Sequence, residues 1–182
     1  MERYWKQREV ERVFQNSIFS VYHKKYHLHP RDAEGTFATI DTCDWVNVIP
    51  VTDDGDIILI KQFRHGIEGT TVEIPGGGID AGDGGPLAAA KRELEEETGF
   101  RARRWDHLGC VTPNPAILNN YCHTYLARGL EGGGKKSADQ MEYIEVFQAS
   151  SSDVKKMLLD GTISHALVLA AFGHYFLRGY EL

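Results

Sequence analysis

The stretch from Gly76 to Phe100 constrains this chain most, because it places a run of glycines directly before a helix crowded with carboxylates. Gly76-Gly77-Gly78 and a Gly/Asp turn lead into Pro86, which suits a first helical position because its missing N–H would be unpaired there anyway. Gly99 suits the residue after the last turn, where a positive φ is needed. The helix is therefore expected over residues 86 to 98. At about 100° per residue, Leu87, Ala90 and Leu94 share one stripe. Glu93 and Glu97 lie together on its flank, Glu96 lies beyond them, and Glu95 points the other way.

That geometry separates glutamates that look alike in the sequence. Glu95 follows Lys91 by one helical repeat and is expected to form an ordinary surface pair with it. Glu93 and Glu97 form a like-charge i,i+4 pair, which costs about 0.2–0.5 kcal/mol in an isolated helix, and Glu96 adds to the repulsion. Something positive should offset it. Crowded oxygen ligands, with Ala89 and Ala90 too small to fill the space beside them, suit Mg²⁺, with Mn²⁺ as a substitute. Such ions keep some waters and share phosphate ligands. A solvated acidic face is the ordinary reading of a Glu-rich helix. The glycines before it favour the metal, since they let backbone groups approach a cation or phosphate closely, and the Gly77 carbonyl becomes a candidate ligand.

These residues resemble the signature of the Nudix hydrolases: Gly, five residues, Glu, seven residues, then Arg-Glu-hydrophobic-any-Glu-Glu-any-Gly-hydrophobic. Arg92-Glu93-Leu94-Glu95-Glu96-Glu97-Thr98-Gly99-Phe100 matches the second half at every position. The first half departs from it. Counted strictly back from Arg92, Gly78 opens the pattern and Gly84 stands where Glu is expected; counted from Gly77 with one inserted residue, Asp83 stands there. The second alignment is preferred, because a loop accepts an extra residue more readily than a helix and Asp83 keeps a carboxylate. The resemblance implies an α/β fold, the Nudix α/β/α sandwich with a mixed sheet, plus an N-terminal β-strand appendage. It implies that Glu93, Glu97 and Glu96 hold the metal and that Arg92 orients a glutamate.

Length and composition fit that picture. The 182 residues, 42% of them hydrophobic, can bury a sizeable core, divided here into an N-terminal strand region over 1–42 and a Nudix hydrolase domain over 43–182. A net charge of −6 argues against broad binding to nucleic acid or an anionic membrane. Cys43, Cys110 and Cys122 lack metal-ligand spacing and read as buried free thiols. The N-terminal residues have no apolar signal-peptide core, so the expected compartment is cytoplasmic by default, with periplasmic export left open.

Along the chain, Ile18 to His29 reads as a strand, with Thr36 to Ile40 pairing beside it. His23, His27 and His29 invite a zinc reading, but exposed or interfacial histidines are the expectation. In the Nudix subgroup acting on ADP-ribose and nucleoside diphosphate sugars, such an N-terminal sheet helps form a homodimer, and the similarity implies the same here. Trp45–Val51 and Ile57–Phe63 form a hairpin around Asp53-Asp54-Gly55-Asp56. Gln62-Phe63-Arg64 resembles an element of the same subgroup, which puts Arg64, through its planar fork, at a substrate phosphate or ribose, with a surface salt bridge as the plain alternative; Glu73 matches a Glu that the subgroup keeps near the metal or substrate. Pro115, sixteen residues past Gly99, is a further marker of that subgroup and makes the Pro-rich loop a substrate-side element by resemblance.

Trp105–Val111 and Tyr121–Ala127 read as strands on either side of that loop, and Glu131 to Ser137 as a flexible loop. In similar enzymes a Glu from the end of this loop completes the site or activates the water; Glu142 is chosen over Glu145 as the proton acceptor, with a ligand glutamate, Glu96, as the alternative. Ser151-Ser152-Asp153 caps a short helix through Leu159, and Ser164 starts a second. Asp153 and Lys155 match an Asp-any-Lys element associated with nucleotide-sugar hydrolases, with a plain cap and a surface charge as the even alternative. The expected activity is Mg²⁺-dependent hydrolysis of the pyrophosphate bond of nucleoside diphosphate sugars, including ADP-ribose. The alternatives are a silent nucleotide-sugar-binding regulator and a nucleoside triphosphate or dinucleoside polyphosphate hydrolase.

Overall fold

The computed structural model describes residues 1–134 and 143–182, which divide into two compact units. The first comprises Met1–Asp44 together with Thr112–Tyr121. Its strands β1 (Trp5–Gln15), β2 (Phe19–Leu28) and β3 (Ala33–Thr42) form an antiparallel meander in that order. The β1–β2 turn is set by Asn16, whose side-chain oxygen accepts the N–H groups of Ile18 and Phe19, both at 2.8 Å. After β2 the chain turns through Asp32 at φ 46°, and Asp32 lies 2.9 Å from His27 Nε2. The three histidines therefore do not share one ligand position. His27 faces Asp32 and stacks edge-on against His29, while His23 sits opposite Ala38. Trp5, Tyr26 and Phe37 meet edge-to-face across the sheet, with centroids 6.0–6.3 Å apart. The Pro-rich loop belongs to this unit: Ile40 pairs with Leu118, and Asn119, Asn120 and Tyr121 bond to Thr42, Cys43 and Asp44.

The second unit, Trp45–Val111 with Cys122–Leu182, carries the larger sheet. Its strands are β4 (Trp45–Val51), β5 (Ile57–Arg64), β6 (Gly69–Glu73), β7 (Gly76–Gly78), β8 (Phe100–Val111), β9 (Cys122–Gly132) and β10 (Ile144–Ala149). Among the described residues the order is β10-β5-β4-β9-β8, with β6 beside β5 and β7 beside β4. Among the described residues of this sheet only the β4–β9 pairing is parallel, so the sheet is mixed. Period-two alternation gives the sheet two apolar faces. Val46 and Val48 of β4 and Tyr125 and Ala127 of β9 pack against helix α1 (Pro86–Thr98). Ile49, the residue after Val48, and Leu126, between Tyr125 and Ala127, join a core with Val154 of α2 (Ser151–Leu159) and Val168 and Phe172 of α3 (Ala166–Leu177). Helices thus cover both faces, giving the α/β/α sandwich. No helix of the described residues is long and apolar enough to cross a membrane.

Several local expectations are corrected. Leu87 is exposed, and Ala89 joins Ala90 and Leu94 in the buried stripe, so the helix face is turned by part of a step. Strand β8 begins at Phe100 and β9 runs on to Gly132, because the two pair along nearly their whole length. Ser150 rather than the following residues caps α2, and His165 rather than Ser164 precedes α3. Cys43 and Cys110 are exposed; only Cys122 is buried.

Candidate active site

The site is built where α1 lies against β7. Gly85 at φ 114° and Gly99 at φ 75° bracket the helix, and the Gly99 N–H closes its last turn on the Glu95 carbonyl at 2.8 Å. Small Ala89 and Ala90 let the helix sit close to the sheet. Glycine-only β7 pairs with β4, Gly76 opposite Asn47 and Gly77 opposite Val46. A Cβ on Gly76 would overlap the Val46 carbonyl oxygen, and one on Gly77 would overlap the Glu93 carboxylate. The glycines are therefore a steric condition for the helix to bring its glutamates to this strand.

Glu97 is buried, and its Oε2 accepts the Gly76 N–H at 2.9 Å. Arg92 gathers the other acids. Its Nη1 donates to Glu93 Oε1 at 2.8 Å and Glu96 Oε2 at 3.0 Å, and its Nη2 to the Gly78 carbonyl at 2.9 Å. On its other side, Nε and Nη2 hold the Asp83 carboxylate. Asp83, the residue that an inserted position brings to the place of the missing Glu, thus meets the guanidinium. Hydrogen bonding from Arg92 holds the Asp83 carboxyl below its usual range, and Asp83 in turn holds the guanidinium charged. Glu95, on another face of the helix, is gripped by Arg101, Nε at 2.8 Å and Nη2 at 2.5 Å.

A second cluster lies at the end of β5 and β6. Arg64 and Glu73 meet in a fork, Nε to Oε1 and Nη2 to Oε2, both at 2.7 Å, and Thr71 Oγ1 adds a bond to Oε1 at 2.5 Å. Burial pushes the Glu73 carboxyl up, but the Arg64 and Thr71 hydrogen bonds outweigh it and leave it below its ordinary value. Arg64 also lines a cleft of about 480 Å³ with Lys61, Phe63, His65, Tyr143 and Glu145. Glu145 is paired with Lys61 at 2.8 Å. Glu142 lies outside the described residues. Asp153 forms a reciprocal cap with Ser150, and Lys155 is exposed on α2.

With that geometry in hand, comparison with known proteins decides the family. The NUDIX domain pattern matches residues 43–169. The chain belongs to the Nudix family. It is similar to the ADP-ribose pyrophosphatase of Bacillus subtilis (strain 168), 32% identical over 149 residues that cover 81% of this chain and 80% of that one. It is also similar to the ADP-sugar pyrophosphatase of Mus musculus, 30% identical over 149 residues, 73% of this chain and 68% of that one. A solved structure titled "Crystal structure of ADP compounds hydrolase" superposes with a TM-score of 0.85 over 96% of this chain and 95% of that one, at 23% identity, which bears on the fold.

The Nudix helix offers an oxygen-only donor set: Glu93, Glu96, Glu97 and the backbone at Gly77. Among the described residues no three His, Cys, Asp or Glu side chains close into a ready ligand cage, since Arg92 holds Glu93 and Glu96 and the Gly76 amide holds Glu97. Carboxylates supported in this way fit a hard divalent cation that keeps waters and takes further oxygens from a phosphate. Sequence reasoning missed Thr71, Asn47 and His165 of this Nudix domain. Asn47 Nδ2 donates to the Leu167 carbonyl at 3.0 Å, holding the start of α3, and His165 Nδ1 lies 3.9 Å from Glu73 Oε2. Buried polar residues among apolar neighbours, as in Trp45-Val46-Asn47-Val48, are the signal that was present for Asn47.

Proposed function

We infer that this Nudix enzyme is a pyrophosphohydrolase of nucleoside diphosphate sugars, ADP-ribose among them, releasing a nucleoside monophosphate and a sugar phosphate with consumption of one water. The observation that carries this reading is the Arg92-centred cluster of Glu93, Glu96 and Asp83, beside Glu97, against an all-glycine strand. Glu93, Glu96 and Glu97 with the Gly77 carbonyl would hold Mg²⁺, which when bound neutralises the diphosphate and lowers the pKa of a water. Arg92 fixes the carboxylates so that their orientation survives substrate binding. Arg64 is the group for a substrate phosphate, since its fork matches that geometry and it lines the cleft. Glu142 remains the choice for proton acceptor; Asp153 and Lys155 are proposed on the sugar-phosphate side.

The experiment is a product assay with Mg²⁺ and then Mn²⁺ on ADP-ribose, other sugar nucleotides, ATP and a dinucleoside polyphosphate. AMP and ribose 5-phosphate are expected from ADP-ribose. Glu97→Gln, which keeps shape and loses charge, is expected to remove several kcal/mol of barrier lowering, about 10²–10³-fold in rate, with an unchanged circular dichroism spectrum. No cleavage of any sugar nucleotide, or a preference for ATP, would overturn the reading.

A homodimer through the N-terminal sheet is also proposed. Trp5, Val10, Val13, Phe14 and Phe37 are large apolar residues left 44–50% exposed on that sheet, the kind of apolar surface that marks an interaction site. Ultracentrifugation is expected to give twice the chain mass, and Phe14→Glu with Phe37→Glu to give a monomer.

A further inference from the structure

We propose that His165 is a positioning residue for the Arg64–Glu73 pair: it supplies the donor that keeps Glu73 anchored when the Arg64 fork turns to a substrate phosphate. The proposal rests on the reading of Arg64 as a phosphate-binding group. Glu73 is 3% exposed. Its Oε1 takes two donors, Arg64 Nε and Thr71 Oγ1, while Oε2 takes one, Arg64 Nη2. Each carboxylate oxygen has two lone-pair positions, so Oε2 has one left. The side chain facing it is His165, whose Nδ1 stands 3.9 Å away and is buried without a hydrogen-bond partner. That is about 1 Å longer than an N–H···O bond, and the ring would close the gap as Arg64 turns away.

The backbone at His165 is in place for this. His165 caps α3, its carbonyl accepts the N–H groups of Val168 and Leu169 at 3.0 Å, and Asn47 fixes the same turn through the Leu167 carbonyl. The ring is therefore presented to Glu73 by a helix start tied to β4. Arg64 is differently placed: its side chain is 41% exposed and borders the cleft, so its fork can be drawn to an anion there. Were it to leave alone, a buried carboxylate would rest on a single hydroxyl, an arrangement that costs far more than a paired one. With its proton on Nδ1, His165 replaces the lost donor, and the transfer of Arg64 becomes an exchange of partners.

The test compares His165→Leu, which removes the donor and keeps bulk, with His165→Asn, whose amide nitrogen sits close to the position of Nδ1. His165→Leu is expected to raise KM for ADP-ribose about tenfold with kcat within about threefold, the size of one hydrogen bond to a charged group. Affinity for the non-hydrolysable α,β-methylene analogue of ADP-ribose, measured by calorimetry, should fall in parallel, and His165→Asn should recover most of both losses. In an Arg64→Lys background, which cannot form the fork, the leucine substitution should add little. An unchanged KM and analogue affinity in His165→Leu, or an equal loss in His165→Asn, would reduce His165 to a helix cap and overturn the proposal. Should His165→Leu not fold, Thr71→Val removes another Glu73 donor and is expected to raise KM in the same sense; an unchanged value again counts against it. A wild-type protein that binds the analogue but cleaves nothing would refute the hydrolase reading and leave the binding comparison intact.

Discussion

Arg92 grips Asp83 with two parallel hydrogen bonds, Nε to Oδ1 at 3.0 Å and Nη2 to Oδ2 at 2.9 Å. The same guanidinium then reaches Glu93 and Glu96 through Nη1, so a loop carboxylate with no place in the helix sets the direction of two that belong to it. Asp83→Asn keeps the shape and gives up the charge. Activity is expected to fall about 10–100-fold, with a higher requirement for the divalent cation, as for residues that orient ligand carboxylates. The folded-state value of Asp83 lies below its ordinary 3.8. Its stabilising contribution is therefore complete above about pH 4 and is lost as pH falls through the lowered value. Urea midpoints of wild type and Asp83→Asn should differ by a constant amount near neutrality and converge in acid.

Two adjacent glycines should respond differently to the same methyl group. On Gly76 it meets the Val46 carbonyl, which is backbone in a central strand and has nowhere to go. Gly76→Ala is expected to cost about 1–3 kcal/mol of stability, read from denaturant unfolding. On Gly77 the nearest atoms it meets are the far end of the Glu93 side chain. Gly77→Ala should unfold nearly as wild type yet lose about 10–100-fold in activity, because Glu93 is pushed from its place beside Arg92. Equal effects on stability would contradict this division between frame and site.

His107 carries a pH dependence unrelated to the site. Burial lowers its value first, and His123, Arg178 and His174 lower it further. Since the unfolded chain takes up the proton before the folded one, this residue's contribution is full above its ordinary 6.5 and is lost as pH falls toward the lowered value. The ring rests 5.0 Å from Tyr125 and 5.7 Å from His123, so His107→Phe keeps the packing without the charge. The variant's melting temperature should drop less than that of wild type between about pH 7.5 and pH 5.5. Parallel curves would show that His107 does not contribute.

The bounds of α1 were legible because proline and glycine act locally, at Pro86 and Gly99, whatever surrounds the helix. The sandwich followed from a signature resting on contiguous residues. Strand β1 was not legible: every residue of Trp5–Gln15 is exposed, so no buried face imposed an apolar alternation on Lys6, Arg8, Glu9, Glu11 and Arg12. Helical arithmetic gave Glu95 to Lys91, whereas the left-handed turn at Gly99 folds the chain back and presents Arg101. His165 and Glu73 are far apart in the chain, and only the packed sheet brings them together. A lone histidine before an apolar helix carries no mark of such a neighbour.

The pairing of Ile40 with Leu118, and of Asp44 with the Tyr121 amide, bears on the order in which the protein is made. A chain emerging from the ribosome can lay down its first three strands early, but this unit is completed only after some seventy further residues, about the span from Asp44 to Thr112, have been synthesised. Cutting the gene after codon 44 would strand Ile117 and Leu118 without their partner strand, so the two units cannot be separated by a single truncation and must be inherited, exchanged or engineered together.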